Sequence, residues 1–158
     1  MKGNKKVLDA LNEILTAELT GINQYFLHAK MCEHWGYRRL HRKIREAAIG
    51  EMKHADTLIE RILFLDGTPN VQRLARVSIG ETVPEQMKLD LAVEGEAVKR
   101  LNATIALCVE AGDNGSREML ESMLRSEEEH FSWIETQLAI IDQIGLEPYL
   151  AEQIHDAG

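Results

Sequence analysis

Four glutamates set into apolar helical stripes constrain this chain more than any other feature. Glu18 is followed thirty-three positions later by Glu51-Met52-Lys53-His54, and Glu94 is followed at the same interval by Glu127-Glu128-Glu129-His130. Each member of the second set lies 76 residues after its counterpart, Glu18 to Glu94 and His54 to His130. Glu and His three positions apart share one face of a helix, and carboxylates and imidazoles are ligands for hard and borderline cations. The repeat predicts one metal site assembled from two half-sites.

The helices that carry these residues are marked by glycine. Long helical periodicities stop at Gly36, Gly67, Gly112 and Gly145, each expected to take the left-handed backbone that ends a helix. They predict four helices over about 5–35, 38–65, 83–111 and 115–144, with a short fifth segment after Pro148. Pro69 lies beyond the second, and Thr82, Pro84 and Glu85 read as a capping-box start to the third. Short links make helices one and two, and three and four, antiparallel hairpins. The middle link, Asp66 to Glu81, spans up to about 53 Å when extended, against about 42 Å for a 28-residue helix. It is long enough to cross the bundle, and the prediction is an all-α four-helix bundle with one long crossover. A mobile loop is the other reading of the same length.

Placed on those helices, the ligand-type residues fall inside the core. Glu18 interrupts a stripe of Leu11, Leu15, Ile22 and Tyr25; Glu51 and His54 interrupt Ile44, Ala47, Leu58 and Ile62. Glu94 sits among Met87, Leu91, Val98 and Leu101, and Glu127 and His130 among Leu120, Leu124, Ile134 and Leu138. A buried carboxylate without a partner costs several kcal/mol, and four together approach the whole stability of a domain, about 5–15 kcal/mol. No Lys or Arg in these stripes is placed to pair with them, so cations are needed. Four carboxylates and two imidazoles without a thiolate favour iron or manganese over structural zinc.

The remaining composition narrows the class. At 158 residues the chain suits one domain, 1–158, and its net charge of −8 argues against nucleic acid. No apolar run is long enough for a membrane span and the N-terminus lacks a signal-peptide core, so a cytoplasmic location is expected. Cys32 and Cys108 read as buried free thiols. His28, His34, His41 and His155 read as surface or interface residues. Leu146, Tyr149, Leu150 and Ile154 give the last segment a small apolar face that must dock, on its own bundle or on another copy.

On Asn23-Gln24-Tyr25-Phe26, Glu51-Met52-Lys53-His54-Ala55, Glu60-Arg61-Ile62 and Ser126-Glu127-Glu128-Glu129-His130, the chain resembles the bacterioferritins, the haem-containing branch of the ferritin superfamily. The resemblance covers nearly the whole length, and ferritin-like di-iron proteins share the Glu, Glu-x-x-His arrangement. It implies a ferritin-like bundle with a short C-terminal fifth helix and a ferroxidase oxidising Fe(II) to Fe(III) with O2 or H2O2. It assigns Glu18 and His54 to one iron and Glu94 and His130 to the other, with Glu51 and Glu127 bridging, two iron ions per subunit. It further implies iron storage and detoxification as ferric mineral inside a cage of twenty-four identical subunits. Haem b shared across a twofold axis, and a small ferredoxin as reductant for iron release, complete the expectation. A small di-iron or di-manganese oxidoreductase without a cage, and a structural helical assembly with incidental metals, are the alternatives from other classes.

Met52 lies about 100° around the helix from Glu51, on a side face with Ile49 and Ile59. Spacing alone reads it as an interface methionine; the resemblance makes it the haem's axial ligand, beside Leu19, Ile22, Asn23 and Phe26. Tyr25 and Trp133 read as packing residues near the site, with electron donation as the other reading. Three departures from the family stand out: Leu58 replaces a second tyrosine found in some members, Gly50 beside Glu46 offers no ligand for an inner-surface iron site, and Arg45 alters the haem edge.

Overall fold

The computed structural model describes residues 1–155. Five helices run through them: α1 (Lys5–His34), α2 (Arg38–Phe64), α3 (Val83–Ala111), α4 (Asn114–Ile144) and α5 (Leu146–Gln153). The four long helices lie within one or two residues of the boundaries read from the sequence. No helix among the described residues is long and apolar enough to cross a membrane.

Local signals explain the ends. Asn4 caps α1 by accepting from the Lys6 and Val7 amides, and Asp113 caps α4 by accepting from Ser116 N. Thr82 Oγ1 accepts from Glu85 N at 3.3 Å as expected, but Glu85 reaches back to the Glu81 amide (2.8 Å) rather than to that of Thr82. At the C-termini, Gly36 and Gly112 take positive φ, and the next amide closes onto the carbonyl five residues back, Tyr37 N to Cys32 O and Asp113 N to Cys108 O. The end of α2 differs from expectation. There Asp66 is the left-handed residue (φ 58°), and Gly67 follows it, donating to Ile62 O. A Cβ on Gly67 would stand 2.6 Å from Leu8 Cδ2 and 3.0 Å from Ile62 Cγ2, so a side chain there would displace the end of Leu8.

The topology follows from which residues meet. Gly3 N donates to Leu65 O (2.9 Å), so α2 ends where α1 begins. Cys32 meets Gln86, His28 meets Asp90 and Tyr25 meets Glu94, so α3 starts at the far end of α1 and runs antiparallel to it. Helices α2 and α3 are therefore parallel, and the link between them crosses the bundle.

That crossover is laced to α1 along a polar stripe of period four: Asn12, Thr16, Thr20, Gln24 and His28. Asn12 bonds Thr68 O and Asn70 N, and Thr16 Oγ1 takes Arg73 Nε. Thr20 accepts from Ala75 N (2.9 Å), Gln24 from Ser78 N (3.2 Å) and His28 Nε2 from Gly80 N (3.0 Å). These bonds satisfy backbone groups that no sheet or helix serves. His28 thus corrects the sequence reading, being fully buried, while His34 and His155 are exposed and His41 half-buried. A backbone amide can only donate, so Nε2 is the unprotonated nitrogen and Nδ1–H donates to Asp90 Oδ1 (2.8 Å).

The core forms two apolar clusters. One, around Leu11, Leu15, Leu58, Ile62 and Leu120, fills the end where α1 begins; the other, around Tyr25, Ala29, Ile44, Met87 and Ile134, fills the opposite end. The four glutamates form the layer between them. Cys32 and Cys108 are buried and free, and burial pushes their thiols up, to about 12 and about 11. Helix α5 docks on its own bundle through Tyr149, which donates to Gln137 Oε1 (2.7 Å), while Leu146 and Ile154 stay exposed.

Candidate metal centre

Each long helix delivers its ligand-type residues to the same layer. Glu18, Glu51, Glu94 and Glu127 are 1–7 % exposed, and His54 and His130 are partly buried at its edge. Their donor atoms form two groups, each with all atoms within 4.8 Å of one another: Glu18, Glu51, His54 and Glu127; and Glu94, Glu127 and His130. The six residues singled out from the sequence are thus brought together. The two halves are not equal, since Glu127 belongs to both groups and Glu51 to one.

The electrostatics are those of a site short of positive charge. His54 Nδ1 lies 3.1 Å from Glu127 Oε1 and 3.5 Å from Glu18 Oε2; His130 Nδ1 lies 3.0 Å from Glu94 Oε1. Tyr25 donates its hydroxyl to that same Glu94 oxygen. No lysine or arginine pairs with these carboxylates among the described residues, and Glu18 Oε2 and Glu94 Oε2 are buried without a hydrogen-bond partner. Natural interiors rarely leave such atoms unmet. Burial raises the Glu18 carboxyl and, with the adjacent Glu127, lifts Glu94 to about 8. Burial lowers His54, but the bonds and charges of Glu127 and Glu18 outweigh it and push the imidazole up to about 10. Burial, then Glu94, raises the Tyr25 phenol well above its ordinary value. Two buried carboxylate oxygens without a hydrogen bond, within a six-residue oxygen and nitrogen donor set, fit cations such as iron or manganese.

Two openings reach the layer. One, about 180 Å³, lies between α2 and α4, with Lys43, Glu46, Gly50, His54 and His130 in its wall. Nothing stands within 4 Å of where a Gly50 Cβ would be, so the missing side chain leaves this mouth wider. The other, about 260 Å³, lies between α1, α3 and the crossover, and runs past Thr20, Ser78 and Arg100 to Glu18 and Glu94.

The aromatic surroundings are ordered. The Tyr25 ring meets His130 edge-on at 5.3 Å, and Trp133 stacks on the other side of the layer's edge, 6.2 Å from His130 at 21°. Leu58 is wholly buried in the first apolar cluster. Met52 is 49 % exposed and shares its α2 face with Ile49 and Arg45, whose guanidinium lies 5.4 Å over the Phe26 ring. Sequence reasoning missed the Gln24–Asp90–His28 cluster beside the site; hydrogen-bonding residues at every fourth position of α1 were the available signal.

Comparison with known proteins agrees with this arrangement. A family model described as Ferritin-like domain matches residues 8–144. The bacterioferritin of Mycobacterium leprae is 47% identical over 152 residues, covering 96% of each chain. That of Streptomyces coelicolor is 45% identical over 154 residues, covering 98% of this chain and 92% of its own. The bacterioferritin of Rhodobacter capsulatus is 43% identical over 145 residues, covering 92% and 90%.

Proposed function

The chain belongs to the bacterioferritin family, which makes it an iron-storage protein, and we propose on that premise that its buried layer is a ferroxidase centre. The observation that carries the reading is the pair of buried oxygens that receive no hydrogen bond, Glu18 Oε2 and Glu94 Oε2, set among two histidines and two further glutamates. Ferrous ions are the substrate. Glu18, Glu51 and His54 hold one, Glu94 and His130 the other, and Glu127, common to both groups, spans them.

Each pair of ferrous ions gives up two electrons. With two protons these reduce O2 to H2O2, or H2O2 to two waters, leaving two ferric ions. The protein's own part is to fix two cations side by side and to exclude bulk water with the apolar clusters above and below. A ferric ion leaves by the α2–α4 mouth, where His54 and His130 stand partly exposed. The product accumulates as mineral within a cage of twenty-four copies, with residues 1–158 acting as one unit, and the exposed Leu146 and Ile154 of α5 contribute to contacts between copies.

Haem b would be held at the exposed face of α2, with the Met52 thioether as the residue that would bind its iron. The fit rests on a half-exposed methionine on a face flanked by apolar Ile49 and Phe26. Haem supplies one-electron transfer for release of stored iron when bound, with a small ferredoxin as the electron source. The deciding experiment loads purified metal-free protein with ferrous iron in air and follows particle mass, retained iron and the visible spectrum together. A large particle that keeps a ferric core is expected; a small particle retaining no iron would defeat the storage reading.

A further inference from the structure

The two openings meet the glutamate layer from opposite sides. His54 and His130 border only the α2–α4 mouth, Glu18 and Glu94 only the opening between α1, α3 and the crossover, and Glu51 and Glu127 border both. Ferrous oxidation brings together two substrates of unlike chemistry, a hydrated dication and a neutral oxidant, and the two walls differ in kind. The α2–α4 mouth presents Glu46, Ser126 and Glu129 outside the ligand set. Oxygen groups of this sort replace the waters that a dication sheds on its way to a site.

The other opening is built differently. Ala17, Ala75, Leu89, Val93 and Ala97 give it alkyl walls, and Thr20 and Gln24, which share them, are already engaged. Thr20 Oγ1 donates to Thr16 O (2.7 Å) and accepts from Ala75 N (2.9 Å). Gln24 donates through Nε2 to Asp90 Oδ1 (2.8 Å) and accepts at Oε1 from Ser78 N (3.2 Å). The crossover thus draws the polarity of this wall onto its own amides. Arg76 and Arg100 also line the opening and oppose a cation, while Glu96, outside the ligand set, stands 3.4 Å from Lys99. Alkyl-walled space of about 260 Å³ suits small apolar guests such as xenon.

We propose that dioxygen enters by the opening between α1, α3 and the crossover, apart from the mouth that serves the metal. The inference rests on the ferroxidase reading and adds a route to it. One O2 takes two electrons from two ferrous ions and, with two protons, becomes H2O2; the passage supplies only the O2. Ala97 is half-buried and one turn beyond Glu94 on α3, so its size sets the width of the passage beside the ligands.

The first test needs no iron. Crystals of the metal-free assembled protein under xenon pressure should show xenon beside Ala17, Val93 and Ala97 and none in the α2–α4 mouth; an opening that takes up no xenon would overturn the proposal. Ala97→Phe should exclude the xenon and raise the KM for O2 in ferrous oxidation about tenfold with kcat kept. Cobalt(II), followed by its visible spectrum, should bind this variant as it binds the parent. Supplied with H2O2 under argon, a polar oxidant that can use the polar mouth, the variant should match the parent; equal slowing with both oxidants would overturn the proposal. Gly50→Leu, in the other mouth, should slow cobalt uptake and leave the xenon and the KM for O2 unchanged. If Ala97→Phe fails to assemble, Ala75→Leu, at an exposed crossover position in the same wall, takes its place. A parent that takes up xenon but oxidises no iron would sink the ferroxidase reading and this proposal with it. A parent that oxidises iron, beside a well-folded variant with an unaltered KM for O2, would sink the passage alone.

Discussion

Tyr25 and His130 converge on a single atom: the tyrosine donates its hydroxyl to Glu94 Oε1, and His130 Nδ1 lies 3.0 Å from that same oxygen. The other oxygen of Glu94 is left without a partner. The carboxylate is thereby held by one side and aimed by the other. Tyr25→Phe keeps the packing and removes the aim. Aerobic ferrous oxidation should slow about tenfold by stopped-flow absorbance, at a stability loss of about 1 kcal/mol for one hydrogen bond. An unchanged rate would reduce Tyr25 to a packing residue.

The unequal halves of the centre predict unequal variants. Glu127 belongs to both groups of donors and Glu51 to one, so Glu127→Gln should weaken binding of both metals, by about a hundredfold if each loses ~3 kcal/mol of charged contact. Glu51→Gln should weaken one and largely spare the other. Titration with a spectroscopically visible divalent cation distinguishes the two; equal losses in both variants would mean Glu51 and Glu127 act alike.

Protons would compete with metal at the proposed centre. Glu94, lifted to about 8 chiefly by burial, and His54, pushed up to about 10 by Glu127 and Glu18 against its burial, both hold protons at neutral pH in the metal-free protein. Metal binding must release those protons, so calorimetry in buffers of different ionisation enthalpy should detect release, and affinity should rise with pH through 8. Stability of the metal-free protein has the opposite trend. Both pKa values are raised on folding, so their contribution is fully present below the ordinary values of 4.5 and 6.5 and is lost as pH rises through about 8 and about 10. Metal-free protein whose melting temperature climbs across that window would contradict the assignment.

His28 fastens the crossover at its far end. His28→Ala leaves the Gly80 amide unpaired and removes one of two donors to Asp90 Oδ1, the other being Gln24 Nε2 at 2.8 Å. The expected loss is about 1–3 kcal/mol, with faster hydrogen exchange at Gly80 and Ser78 and little change at the start of α1. Uniformly faster exchange would show that the crossover is not held residue by residue.

Met52→Ala should abolish haem retention, read from the Soret band after purification, while ferrous oxidation continues at the parent rate. Undiminished haem content would remove Met52 from that role.

The sequence carried the helices and the ligand set because both rest on local or periodic signals. Glycine at Gly36 and Gly112 marks a backbone that other residues reach at a cost, and the Glu, Glu-x-x-His spacing survives any detail of packing. Partner choice was less legible. The acceptors Thr20, Gln24 and His28 serve backbone amides, and an amide has no identity in a sequence, so His28 read as a surface residue. The left-handed turn falls on Asp66 and not on Gly67, whose neighbour Leu8 comes from the start of α1, a contact that spacing within α2 does not reveal. The asymmetry between Glu51 and Glu127 has the same origin, since equal spacing along two helices does not guarantee equal approach across the bundle.

The glutamate layer lies between two apolar clusters, each complete in its own end of the molecule. The ends thus hold the four helices in place whether or not the middle is satisfied, and the electrostatic discontent of the carboxylates stays confined to one slice. On the proposed function, cargo would meet a site already assembled and could depart without undoing it. A protein arranged in this way can turn over its contents many times on one act of folding.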